Sequence, residues 1–169
     1  WSPADPVLYE AQGGSFQIAQ SLFAQADGGL FGQGFGRALL ELPGGGNIIP
    51  AAHTDLIYAV ITDELGLFGA AGLILVYLLF VARGFKTALV ASDGFSKLLA
   101  TGLTAVFALQ VFVIVGGVTK VIPLTGVTLP FVSYGGSSIL ANMVLLALLL
   151  IVSDHARRDR ARGRSGGLV

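Results

Sequence analysis

The chain contains no cysteine, which excludes both a disulfide framework and a thiolate metal site. Charge is also scarce. Only 12% of the 169 residues are Asp, Glu, Lys or Arg, against about a quarter in an ordinary soluble domain. Hydrophobic residues make up 54%, and mean hydropathy is +0.79. So little polar surface cannot cover the chain in water, so lipid must be part of its solvent. Net charge is zero. That balance gives no reason to expect a nucleic-acid partner, and none is expected. Trp1 opens a polar stretch with Pro and Gly rather than a basic segment followed by an apolar one. No signal peptide is therefore expected, and the missing initiator methionine points to a fragment or a processed chain.

Three apolar runs carry the rest. Leu65–Ala82 has 18 residues without a charge, Leu98–Thr119 has 22, and Val121–Ser153 has 33. About 20 apolar residues cross a bilayer as a helix. The third run is too long for one helix and begins with Pro123, Pro130 and Gly135-Gly136. Its first half is expected to be a loop. The expected organisation is an all-α integral membrane protein, with a large extracytoplasmic loop and three transmembrane helices. The loop and the start of the first span cover 1–62, and the helices 63–83, 98–119 and 137–153. A cytoplasmic loop covers 84–97, a re-entrant-like outer loop 120–136, and a basic cytoplasmic tail 154–169. Orientation follows from the basic residues. Arg83, Lys86, Lys97, Arg157, Arg158, Arg160, Arg162 and Arg164 make eight of the ten, and all fall on one side. That side should be the cytoplasm, with anionic membrane lipid against the tail.

Within the outer part, Phe16, Ala19, Leu22, Phe23 and Ala26 recur at helical spacing, which predicts a short amphipathic helix at the interface. Gly28-Gly29-Leu30-Phe31-Gly32-Gln33-Gly34-Phe35-Gly36 has neither a preceding strand nor a following Lys-Ser/Thr, so a phosphate loop is not expected. A flexible turn with interfacial phenylalanines is.

Asp55 is the first candidate for chemistry. It ends Ile49-Pro50-Ala51-Ala52-His53-Thr54-Asp55, just before the chain turns apolar. A carboxylate at a membrane boundary is costly unless wet or partnered. Two readings stay open. Thr54 or Asp55 suits the cap of a helix beginning at Leu56. Asp55 also suits a general base that takes a proton from a substrate hydroxyl. His53 is read as a hydrogen-bonding or helix-entry residue. His155, the other histidine, falls on the opposite side, so no metal site is expected. Asp63-Glu64 read as a charged helix start, with Glu64 alternatively a buried partner of a basic residue elsewhere. Lys120 is either a snorkelling lysine or a cation that neutralises a substrate phosphate. Pro123–Ser138 is expected to pack against the protein and line a cavity, because irregular backbone at membrane depth needs its polar groups satisfied.

These stretches together resemble the SEDS family, the RodA/FtsW/SpoVE-like peptidoglycan glycosyltransferases. The resemblance rests on Gln20-Ser21-Leu22, the Gly28–Gly34 cluster, Ile49-Pro50, His53-Thr54-Asp55, and Glu64-Leu65-Gly66-Leu67. It rests most on Pro123, Gly126 and Leu129-Pro130-Phe131, followed by Ser133-Tyr134-Gly135-Gly136-Ser137. It covers about residues 9–155 and only the C-terminal part of an about ten-helix fold. Two departures are Ala51-Ala52, where the family commonly has Glu, and Ile114-Val115-Gly116, where it often has Asn-Ile-Gly. The resemblance implies polymerisation of lipid II into glycan strands, in elongation or division, outside the bacterial cytoplasmic membrane. Asp55 would be the base. His53, Thr54, Lys120, Ser133, Tyr134, Gly135, Gly136 and Ser137 would bind substrate. No cofactor is required, although a divalent cation (Mg or Mn) is one source of charge for the pyrophosphate. A class B penicillin-binding protein would be the partner. A lipid II flippase and a non-catalytic scaffold are the alternatives, and an isolated fragment is expected to be inactive.

Overall fold

The computed structural model describes residues 15–36, 56–123 and 125–165. They form four helices: α1 (Ser15–Gly28), α2 (Ile57–Val90), α3 (Gly94–Val118) and α4 (Gly136–Ser165). Three candidate spans among the described residues are long and apolar enough to cross a membrane: α2, α3 and Gly136–Arg160 of α4. α2 packs chiefly against α3 and α1, and more lightly against α4.

The helices outrun the apolar stretches that announce them. α2 extends past its expected end at 83 to Val90, so the expected loop 84–97 shrinks to a link at Ala91, Ser92 and Asp93. α4 continues through the expected tail to Ser165. The reason is physical. Lys and Arg mark where the bilayer ends, but both are good helix formers and do not stop a helix. At its other end α2 begins at Ile57 rather than 63. Asp63-Glu64 therefore do not open a helix. They lie near the end of its first segment, with Asp63 buried and Glu64 half-buried.

That segment ends at Gly66, whose φ of 67° and ψ of −170° are non-helical and lie in a region essentially reserved for glycine. The break strips backbone groups of their helical partners, which is costly in a membrane. The glycine turn after α1 supplies the replacements. Gln33 N–H donates to Asp63 O at 2.9 Å, and Gly34 N–H to Glu64 O at 3.0 Å. In return Leu67 N–H donates to Gly29 O at 2.9 Å and Phe68 N–H to Leu30 O at 3.3 Å. Such an approach tolerates no side chain. A Cβ on Gly32 would run into the Glu64 carbonyl, and one on Gly66 into the Leu30 carbonyl. The turn expected to be flexible is thus a backbone latch. Of its phenylalanines, Phe31 and Phe35 are largely exposed, and Phe31 lies against Phe68.

Phe107 of α3 centres the core. Its ring lies 4.4 Å from that of Phe80, 5.9 Å from Tyr77 and 6.1 Å from Phe131. Lower down, Gly84 meets Thr104, whose hydroxyl is turned back to Ala100 O at 2.7 Å. A small residue here lets α2 and α3 approach closely, as van der Waals packing between helices in lipid requires. Large apolar side chains elsewhere on the helices, among them Leu75, Leu79, Leu109, Phe112 and Leu150, point outward. Exposure on that scale marks surface covered by lipid or protein.

Candidate functional site

One end of the helical unit carries those candidate site residues that are described. α2 begins there, α3 ends there and α4 begins there. α1 is tied to the same place, because Gln25 Nε2 donates to Val118 O at 3.2 Å. Asp55, His53 and Thr54 lie outside the described residues. Their neighbour Leu56 does not. It occupies the cap position of α2, which offers no side-chain acceptor. Leu56 is 1% exposed and belongs to the same buried cluster as Leu129 of the 119–135 connection.

Lys120 follows the end of α3. Thr119 Oγ1 donates to Val115 O at 2.8 Å, and Lys120 N–H to Gly117 O at 3.2 Å. Val121 and Ile122 N–H groups both donate to Gly116 O. Lys120 has a φ of 63°, a left-handed position usually given to glycine at a helix end. A lysine there costs about 1–2 kcal/mol of backbone strain. Its side chain is half-buried.

The rest of the connection is held by polar anchors on α2 and α3. Tyr77 Oη donates to Pro130 O at 2.7 Å, and Gln110 Nε2 to Thr128 O at 3.2 Å. Ser133 Oγ accepts from Leu129 N–H at 2.8 Å, while Val132 and Ser133 N–H groups return to Leu129 O. Phe131 sits at the tip with a φ of 62°. The expectation that this loop packs against the protein agrees with these contacts. They also divide its polar residues. Ser133 is buried and shapes the turn, whereas Tyr134 is 80% exposed. Gly135 lies against Thr128 and accepts from Ile139 N–H, Gly136 opens α4, and Ser137 is exposed. Lys120 and the Tyr134–Ser137 stretch thus stand at the two ends of one anchored connection.

The latch, and Tyr77 and Gln110 as anchors, were missed by sequence reasoning. The latch left one signal, since Gly66 interrupts an apolar run while an unexplained glycine cluster stands upstream. The two anchors left only a polar atom within a helical run. Among the described residues no three His, Asp or Glu side chains group as metal ligands.

A family model described as "Cell cycle protein", covering FtsW, RodA and SpoVE, matches residues 4–158. The chain is 48% identical over 162 residues to peptidoglycan glycosyltransferase RodA of Mycobacterium tuberculosis, covering 95% of this chain and 33% of that protein. It therefore spans about a third of that relative's length. Its fold is similar to a chain in a structure described as the coordination of polymerization and crosslinking by a peptidoglycan synthase complex. The TM-score is 0.64 at 30% identity, over 82% of this chain and 37% of the other. A variant of the rod shape determining protein RodA of Thermus thermophilus matches at TM-score 0.58 and 38% identity, over 60% of this chain and 34% of that one.

Proposed function

Because the chain belongs to the FtsW/RodA/SpoVE family of cell cycle proteins, we propose that it forms part of the active site of a lipid II polymerase. The carrying observation is that α1 bridges the first segment of α2 and the end of α3, with Gly28 against Thr62 and Gln25 Nε2 donating to Val118 O. The helix that follows Asp55 thus starts at the end of the unit where Lys120 follows α3. In this reading Asp55 takes the proton of the acceptor sugar's 4-hydroxyl as the oxygen attacks the donor's anomeric carbon. The glycosidic bond forms on the opposite face from the bond that breaks, and the lipid-linked pyrophosphate leaves with the electron pair. Negative charge grows on that leaving group, and a preplaced cation lowers the barrier most. Lys120 is the described residue suited to it, which gives its strained backbone a reason. Arg37, outside the described residues, or a divalent cation would serve the same end. Tyr134 and Ser137 offer exposed hydroxyls to the sugars. In this reading the end of the unit that carries Arg83 and Lys86 of α2, Lys97 of α3 and the arginines of α4 faces the cytoplasm, as the bias of basic residues toward that side supports. The chemistry then lies on the outer side of a bacterial inner membrane, with the C-terminus inside. A class B penicillin-binding protein fits as the crosslinking partner, and the similarity to a synthase complex supports it.

Discontinuous helices are also how transporters bind cargo, and α2 is discontinuous beside a buried Asp63. Here, however, the latch bonds the broken backbone internally, leaving those groups unavailable to a substrate. The test is the full-length protein carrying Asp55→Asn, purified with its partner and given lipid II. Loss of a general base costs about 10²–10⁴-fold in rate, read as glycan strands on a gel. Polymerisation at the wild-type rate would remove Asp55 from the mechanism.

A further inference from the structure

At the opposite end of the unit, α2 and α4 diverge around a cleft of about 550 Å³. Its walls are two faces at helical spacing. α2 contributes Phe80, Arg83, Gly84, Thr87 and Val90, with Lys86 at the edge, and α4 contributes Leu146, Leu149, Leu150, Ser153, Arg157 and Arg160. The cleft is graded along the helices. Phe80 and the three leucines lie toward the apolar middle, and the four cations lie toward the helix ends. Leu149 and Arg157 are eight residues apart, about 12 Å along a helix. Among the described residues no carboxylate lines the cleft. The acids of the α4 extension are engaged elsewhere: Asp154 pairs with Arg158 at 2.8 Å, and Asp159 accepts from Ser92 Oγ at 2.6 Å.

We propose that this cleft binds one anionic phospholipid, with its phosphate among Arg83, Lys86, Arg157 and Arg160 and an acyl chain along Phe80, Leu146 and Leu149. The physical case is charge complementarity joined to an apolar floor. Four cations line the one cleft, and a phosphodiester is attracted by them while a neutral headgroup is not. Guanidinium groups also match phosphate oxygens in geometry. A basic pocket between spans at the cytoplasmic boundary is the setting in which anionic headgroups are held. The site stands apart from the Asp55 end and does not depend on polymerisation.

Native mass spectrometry of the detergent-solubilised full-length protein tests it. Dioleoyl phosphatidylglycerol should remain bound where dioleoyl phosphatidylcholine is stripped. Arg83→Gln, Lys86→Gln, Arg157→Gln and Arg160→Gln together should weaken retention by about 10²–10³-fold, since each basic residue near an anionic surface is worth about a factor of five. Lys97→Gln with Arg158→Gln removes charge outside the cleft and should leave retention unchanged. Ser153→Phe keeps all four charges but fills the cleft, and should also release the lipid. Glycerol phosphate, the headgroup without chains, should not compete at equal concentration. Equal loss in the Lys97/Arg158 control, unchanged retention after Ser153→Phe, full competition by glycerol phosphate, or a segment of the same protein seated in the cleft of the complete structure would each overturn the assignment.

Discussion

Gly66 shows how much one residue decides. Its conformation suits glycine alone, and a Cβ there would meet the Leu30 carbonyl. Gly66→Ala should therefore cost at least about 1–3 kcal/mol from the backbone region alone, before the steric clash is counted. Gly72, six residues on, faces open space, and Gly72→Ala should be neutral or stabilising by up to about 1 kcal/mol. Thermal unfolding of the two full-length variants compares them directly. Equal melting temperatures would show that the latch contributes nothing. Sequence could not separate these two glycines, because both sit in the same apolar run and differ only in what approaches them. Asp55 is a candidate for the opposite reason. The stretch around it is distinctive by itself, and lies outside the described residues. Lys120 was legible as a candidate cation, but its left-handed backbone is a property of the α3 end that no residue pattern announces.

Helices as elements were the most legible part, and their limits the least. Three apolar runs gave three spans, because length and hydropathy are what a bilayer selects. Their true ends depend on caps and links instead. The α2–α3 link is short because Asp93 caps α3, accepting from Ser96 N–H at 2.8 Å. That hydrogen bond, foremost among its contacts, holds the Asp93 carboxyl below its usual value. The sign follows from linkage. A carboxylate with a depressed folded value stabilises above its unfolded value, about 4. It loses that contribution as pH falls through the folded value. Protection of the Ser96 amide from hydrogen exchange, corrected for intrinsic rates, should thus drop in acid below about pH 4. In Asp93→Asn, which keeps an acceptor oxygen but cannot titrate, the same amide should show no such step. Parallel profiles would mean that the cap does not respond to charge.

At the scale of the whole molecule, the core and the 119–135 connection are one construction. Phe107 touches Tyr77, Phe80 and Phe131, and Tyr77 in turn holds Pro130. Phe107→Ala should cost about 3–5 kcal/mol in stability and should lower polymerisation by the full-length protein even where the protein still folds. Polymerisation unchanged in a folded but less stable variant would show that the connection keeps its shape without the core. The latch has a consequence of a different kind. Gln33 and Gly34 are fastened to Asp63 and Glu64, and Leu56 begins the same helix about 12 Å away by helical rise. The latch therefore closes a ring in the chain between Gly34 and Asp63, a stretch that includes Asp55 in sequence, with the entropy of closure already met when the protein folds. Ring closure raises the effective concentration of whatever the ring carries. Under the role proposed for Asp55, a weakened latch would slow turnover as if the carboxylate had been diluted, although no reacting group had changed.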